Sequence, residues 1–163
     1  MNFKKEKHSH TIYDWLSEYH KYHKNSTNKL IHFICVPLIM LTLFGLISLI
    51  NTSVSIMEYN INILQIFIAS TLIYYMRLSI ALSFGMLIIS LLFYFFVFEL
   101  KQTLVMNQLL FCYISIFVIS WIGQFLGHKI EGKKPAFFKD LQFLLIGPLW
   151  IMSFIYNRLN IKI

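Results

Sequence analysis

The stretch LSIALSFGMLIISLLFYFFVF, residues 78–98, contains no charged side chain. About 20 apolar residues, at roughly 1.5 Å rise each, cross the hydrocarbon core of a bilayer. The stretch therefore reads as a membrane span, and it decides the fold class. Residues 33–50 and 104–126 are equally uncharged and also long enough to span. A fourth window, residues 61–76, is shorter and ends at Arg77, whose aliphatic stem lets its charge reach the interface. It is read as the second of four spans. Hydrophobic residues make up 58% of the 163 positions and charged residues only 13%, a balance that calls for lipid as the solvent. The expected fold class is an all-α integral membrane helical bundle, with residues 1–163 as one domain.

The flanking segments complete this picture. Residues 1–10 read as a disordered basic leader, and the His8/His10 pair there as part of a frayed terminus. There is no apolar h-region of a signal peptide, so the first apolar segment is expected to remain as a helix. Residues 11–22 form an expected amphipathic helix. Thr11 and Asp14 make a capping-box variant, and Ile12, Trp15, Leu16 and Tyr19 form the apolar face. Residues 25–28 (NSTN) read as a turn, and Pro37 predicts a kink just after His32. At the other end, residues 136–156 carry Gly147-Pro148 in a short apolar run. They are read as a re-entrant or interfacial helix, with a fifth span as the alternative. Cys35 and Cys112 lie inside spans and read as small packing residues.

Charge sets the orientation. Of the 14 Lys and Arg, all but Lys101 fall on one side if four spans separate the termini. The positive-inside rule then puts both termini in the cytoplasm. The net charge of +7 is absorbed by topology and anionic headgroups, and no basic stripe with interleaved aromatics points to nucleic acid. No residue pattern specifies an oligomer.

The same count of spans brings two histidine segments to one face. His20, His23 and His32 precede or open the first span, and His128 and Glu131 follow the fourth. His20/His23 and His128/Glu131 are each three apart, so each pair shares a helix face. Imidazole and carboxylate ligands suit iron, zinc or manganese. Neither pair is specific alone. A packing role for the histidines, and an ion pair of Glu131 with Lys133 or Lys134, stay open beside the metal reading. There is no Ser-His-Asp set, P-loop or Rossmann glycine pattern. A zinc or di-iron lipid enzyme and a non-enzymatic scaffold are the competing functions. Transport fits poorly, because the middles of the first, third and fourth spans carry only Ser and Thr hydroxyls as polar groups.

Three separated motifs occur in order. They are Tyr-His-x-x-His-x-Asn-x-x-Asn at 19–28, Ile-His-x-x-Cys-Val-Pro-Leu-Ile at 31–39, and Trp-Ile-Gly-Gln-Phe-x-Gly-His-x-x-Glu-Gly-x-x-Pro-Ala at 121–136, and the tail 141–148 follows them. Together they resemble the Mpo1-like family over nearly the whole chain. Ser26 departs from it, standing where many relatives carry Pro after the Asn. The resemblance implies an Fe(2+)-dependent dioxygenase that acts on a 2-hydroxy fatty acid and O2 and shortens the acid by one carbon. It implies metal ligation by His20, His23, His32 and His128, with Glu131 as a further ligand or as a group orienting a histidine. Lys133, Lys134 and Gln124 are the candidate substrate-binding residues, and Asp140 is a second candidate hydrogen-bond partner beside Gln124. The host would be a bacterial inner membrane or the endoplasmic reticulum.

Overall fold

The computed structural model describes residues 10–50, 52–56, 59–135, 137 and 141–163. Residues 1–9 of the expected leader, and Asp140, lie outside them. Among the described residues the chain is helical apart from one β-hairpin. Three helices are long and apolar enough to cross a membrane: α2 (Ser26–Ser48), α4 (Ile80–Thr103) and α5 (Met106–Glu131). α3 (Ile63–Leu78) and α6 (Phe143–Arg158) are shorter, and α1 (Ile12–His20) is a polar-faced opening helix.

Capping explains most boundaries. Asp14 N–H donates to Thr11 Oγ1 at 3.3 Å while Asp14 Oδ2 accepts from Thr11 N–H at 2.9 Å, the reciprocal box expected from the sequence. The turn expected at 25–28 is instead the start of α2. The Asn25 side chain accepts from the N–H of Thr27 at 2.8 Å and of Asn28 at 3.3 Å. An N-cap needs a side-chain acceptor in extended backbone, and turn-forming residues supply it, so the same letters serve both purposes. α2 then runs unbroken through Pro37. The stretch expected as a loop after it forms β1 (Ser53–Ile56) and β2 (Tyr59–Asn62), paired antiparallel with Ser53 opposite Asn62. Asn62 ends the hairpin and caps α3 by a second box with Gln65. Only Ser79 separates α3 from α4, and its hydroxyl accepts from Leu82 N–H at 3.2 Å. α5 outruns its apolar window to reach Glu131. It stops at Gly132, whose φ of 70° suits a residue without Cβ.

α2 and α5 pack antiparallel. At one end Gly45 lies against the Tyr113 ring, where a Cβ would fall 2.5 Å from it. At the other end Gly127 lies against Asn28 Oδ1. Small residues at both ends thus let the two helices approach closely. α3 and α4 also run antiparallel, with Gln65 Nε2 donating to Tyr94 OH at 3.1 Å. The outer faces of α4 and α5 expose Phe84, Leu92, Phe95, Phe111 and Ile119.

One end of the bundle gathers the start of α2, the end of α5, the α3–α4 turn and both short terminal helices. Tyr75 OH donates to Leu145 O at 3.1 Å and Tyr156 OH to Ala81 O at 2.7 Å. α6 is held inside this end. Ile146, Leu149 and Trp150 are almost fully buried with Leu82 of α4 and Tyr19 of α1. The Tyr13 hydroxyl of α1 donates to the carbonyl of Ile163, closing the chain end onto α1. The hairpin occupies the opposite end, where Lys101 Nζ donates to Ser48 O at 2.6 Å.

Candidate metal centre

The crowded end holds three buried histidines. His23 lies in the turn after α1, His32 in the second turn of α2 and His128 near the end of α5. One ring nitrogen from each can be chosen so that all three lie within 4.8 Å of one another. Fixed tautomers make this a donor set. His23 Nδ1 is 2.7 Å from Tyr19 O, and His32 Nδ1 is 2.9 Å from Asn28 O. A carbonyl oxygen only accepts, so both Nδ1 atoms carry the proton. Each neutral ring then has a bare Nε2 lone pair, and the two Nε2 atoms face each other at 2.9 Å.

Two facing lone pairs repel unless an electrophile joins them. A proton is disfavoured, because burial, followed by the neighbouring His32, pushes the pKa of His23 down to about 3. A metal ion accepting both lone pairs would remove the repulsion. His128 Nδ1 is buried without a hydrogen-bond partner, so the third ring has an unused polar atom as well. Hydrogen bonds from Nδ1–H to backbone carbonyls are the usual means of orienting metal-binding imidazoles. The residues fit a metal; imidazole alone suits iron, zinc or copper.

The rings are packed as well as bonded. Tyr19 stacks on His23 at 4.2 Å with an interplanar angle of 11°. Trp150 lies 5.1 Å from His23 on the α6 side. Gly147 admits this layer, since a Cβ there would stand 2.9 Å from Tyr19 OH.

The other expected site residues are placed differently. His20 is exposed at the end of α1, its ring 6.3 Å from Trp150, and it is not among the three clustered histidines. Burial, then Lys29 and Lys24, lowers its pKa. Glu131 is engaged with peptide groups. Its carboxylate accepts from Lys24 N–H at 2.9 Å, Asn25 N–H at 2.8 Å and Asn28 Nδ2 at 3.1 Å. It thus ties the end of α5 to the turn that presents His23. Lys133 Nζ donates to Lys21 O at 2.6 Å and lies 5.9 Å from the Tyr22 ring centre. Lys134 is exposed on the turn after α5. Gln124 is buried beside His32 and Cys35, and its Nε2 has no hydrogen-bond partner.

An apolar cavity of about 400 Å³ opens from the three histidines into the bundle. Gln124, Tyr19 and Pro148 are among the residues that line it beside the histidines. A volume of this size is typical of small-molecule sites. The sequence marked its upper wall through Gln124, but the deeper wall is made of Leu, Ile and Phe that look like any packing residue.

No curated protein and no solved structure matches the chain. A family model described as 2-hydroxy-palmitic acid dioxygenase Mpo1-like matches residues 9–159. With three buried histidines converging at one end of a helical bundle, and a match over nearly its whole length, the chain belongs to the Mpo1-like family.

Proposed function

We propose that the protein is a membrane-embedded Fe(2+)-dependent dioxygenase of 2-hydroxy fatty acids. The observation that carries this reading is the pair of Nε2 lone pairs held 2.9 Å apart beside His128, above an apolar cavity. The family description supplies the substrate class. In the reaction the C1–C2 bond of the acid breaks. C2 becomes the carboxyl carbon of an acid one carbon shorter, C1 leaves as carbon dioxide, and the four electrons released reduce O2, giving water. A ferrous ion held by His23, His32 and His128 would supply the activation of O2 that this spin-forbidden oxidation needs.

The chain's own residues do the rest. His23 and His32 present unprotonated nitrogens because their Nδ1 protons are committed to Tyr19 O and Asn28 O. Gln124 brings an amide N–H with no protein partner to the cavity wall, suited to an oxygen of the substrate head. Tyr19, Trp150 and Phe143 cover the centre from the α1–α6 side and keep bulk water from it. The apolar lining takes the alkyl tail.

Four crossings by α2 to α5 complete the reading, with α1, α6 and the metal centre at the cytoplasmic end. α3, with 16 residues, would cross where the bilayer thins or with Arg77 reaching for the interface. Every Lys and Arg except Lys101 then belongs to one side. α6 would cap that side as a re-entrant or interfacial helix rather than cross as a fifth span.

The test is product analysis under air with ferrous-loaded protein in detergent. 2-Hydroxyhexadecanoic acid should yield pentadecanoic acid with one O2 consumed per acid, and hexadecanoic acid should be inert. A three-histidine set also suits hydrolytic zinc. Absence of the shortened acid, with ester hydrolysis by the zinc-loaded protein, would replace the oxygenase with that reading.

A further inference from the structure

The cavity below the histidines has a direction and a floor. On α2 it is lined by His32, Val36, Met40 and Phe44, one face of the helix read every three to four residues. On α5 the matching face is His128, Gln124, Trp121 and Phe117, and on α3 it is Tyr75, Thr71 and Phe67. The three faces start at the metal centre or beside it and descend together toward the hairpin end. Thr71 adds no free polarity, because its hydroxyl donates to the carbonyls of Phe67 and Ile68.

At depth the passage stops. Phe44 is buried and meets Phe67 edge-to-face at 6.1 Å and Phe93 at 6.3 Å. Beyond it lies a closed apolar cluster of Leu64, Ile68 and Val97, with Ile47 packed on it. From His32 to Phe44 the helix advances about 18 Å at ~1.5 Å per residue. An extended alkyl chain advances about 1.3 Å per carbon, given a ~1.5 Å C–C bond. The passage therefore takes a linear tail of about fourteen carbons.

We propose that Phe44, braced by Phe67, is the residue that sets the longest acyl chain this protein accepts. The proposal rests on the lipid-acid reading above, and it assigns to that reading a specificity determinant in the middle of the bundle, far from the metal. A straight, unbranched alkyl chain with its acid head at the histidines is the occupant the shape commits to.

Displacement of a fluorescent fatty acid tests this without requiring turnover. Saturated acids of increasing length, with and without a 2-hydroxyl, compete for the wild-type protein, Phe44→Ala and Phe44→Trp. Affinity for the wild type should rise to about sixteen carbons and fall beyond. Phe44→Ala opens about one further helical turn, ~5.4 Å, and should move the optimum up by about four carbons. Phe44→Trp fills space rather than creating a cavity, and should move it down. If Phe44→Ala does not fold, the downward shift in Phe44→Trp carries the test alone. Identical length profiles in wild type and a folded variant would overturn the proposal. A length optimum that moves with position 44, in protein that shortens no acid, would keep this inference and discard the oxygenase.

Discussion

His32→Ala should lose metal binding by at least about 100-fold, and turnover with it, while the protein still folds. Disturbing a group that merely orients a metal ligand costs 10–100-fold in affinity, so removing a ligand sets a higher floor. His32 donates from Nδ1 to Asn28 O inside α2, whose backbone hydrogen bonds do not depend on that ring. Its removal also relieves the lone-pair contact with His23 Nε2. The expected thermal signature is specific. Ferrous iron or zinc should raise the melting temperature of the wild type, and neither should move that of His32→Ala. Retention of stoichiometric metal by the variant would remove His32 from the centre.

Glu131 separates a pin from a ligand. Glu131→Ala strips the acceptors from Lys24 N–H, Asn25 N–H and Asn28 Nδ2 at one stroke. Hydrogen bonds to a charged group contribute about 1.5–3 kcal/mol each, and partial exposure lets water replace some of that. A net loss of about 2–4 kcal/mol is expected, measured by denaturant or thermal unfolding. Because the freed turn carries His23, metal affinity should fall roughly 10–100-fold, with full occupancy still reached at saturating metal. Glu131→Gln keeps an acceptor oxygen and should recover part of both. Were Glu131 a ligand in its own right, Glu131→Gln would fail to reach full occupancy at any metal concentration.

The long apolar helices were legible because hydropathy alone reports them. The three long helices fall on the uncharged windows, and the Thr11–Asp14 box caps α1 as its spacing requires. Helix ends were less legible. Polar residues at 26–28 and at 127–131 lie within helices because Asn25 and Gly132 terminate them one or two turns beyond the apolar run. Those extra turns are what carry His32 and His128 into the protein interior. The hairpin was missed because Ser-Val-Ser-Ile and Tyr-Asn-Ile-Asn are too short for alternation to outweigh a loop reading. At the site, the sequence nominated five metal-type side chains, and spacing could not separate them. His20 and His23 share one face only if the helix continues past His20, and it does not. The chain turns there, burying His23 under Tyr19 and Trp150 and leaving His20 outside. Glu131 reads as a ligand by type, and only the three-dimensional partners show its oxygens meeting peptide N–H groups.

The proposed chemistry requires that His23, His32 and His128 form one metal site. X-ray absorption at the metal edge, with elemental analysis of protein reconstituted anaerobically with ferrous iron, addresses that directly. One iron per chain with a scattering pattern of three imidazoles is the predicted result. Protein that retains no iron after removal of excess metal, or a pattern with fewer imidazoles, would contradict it.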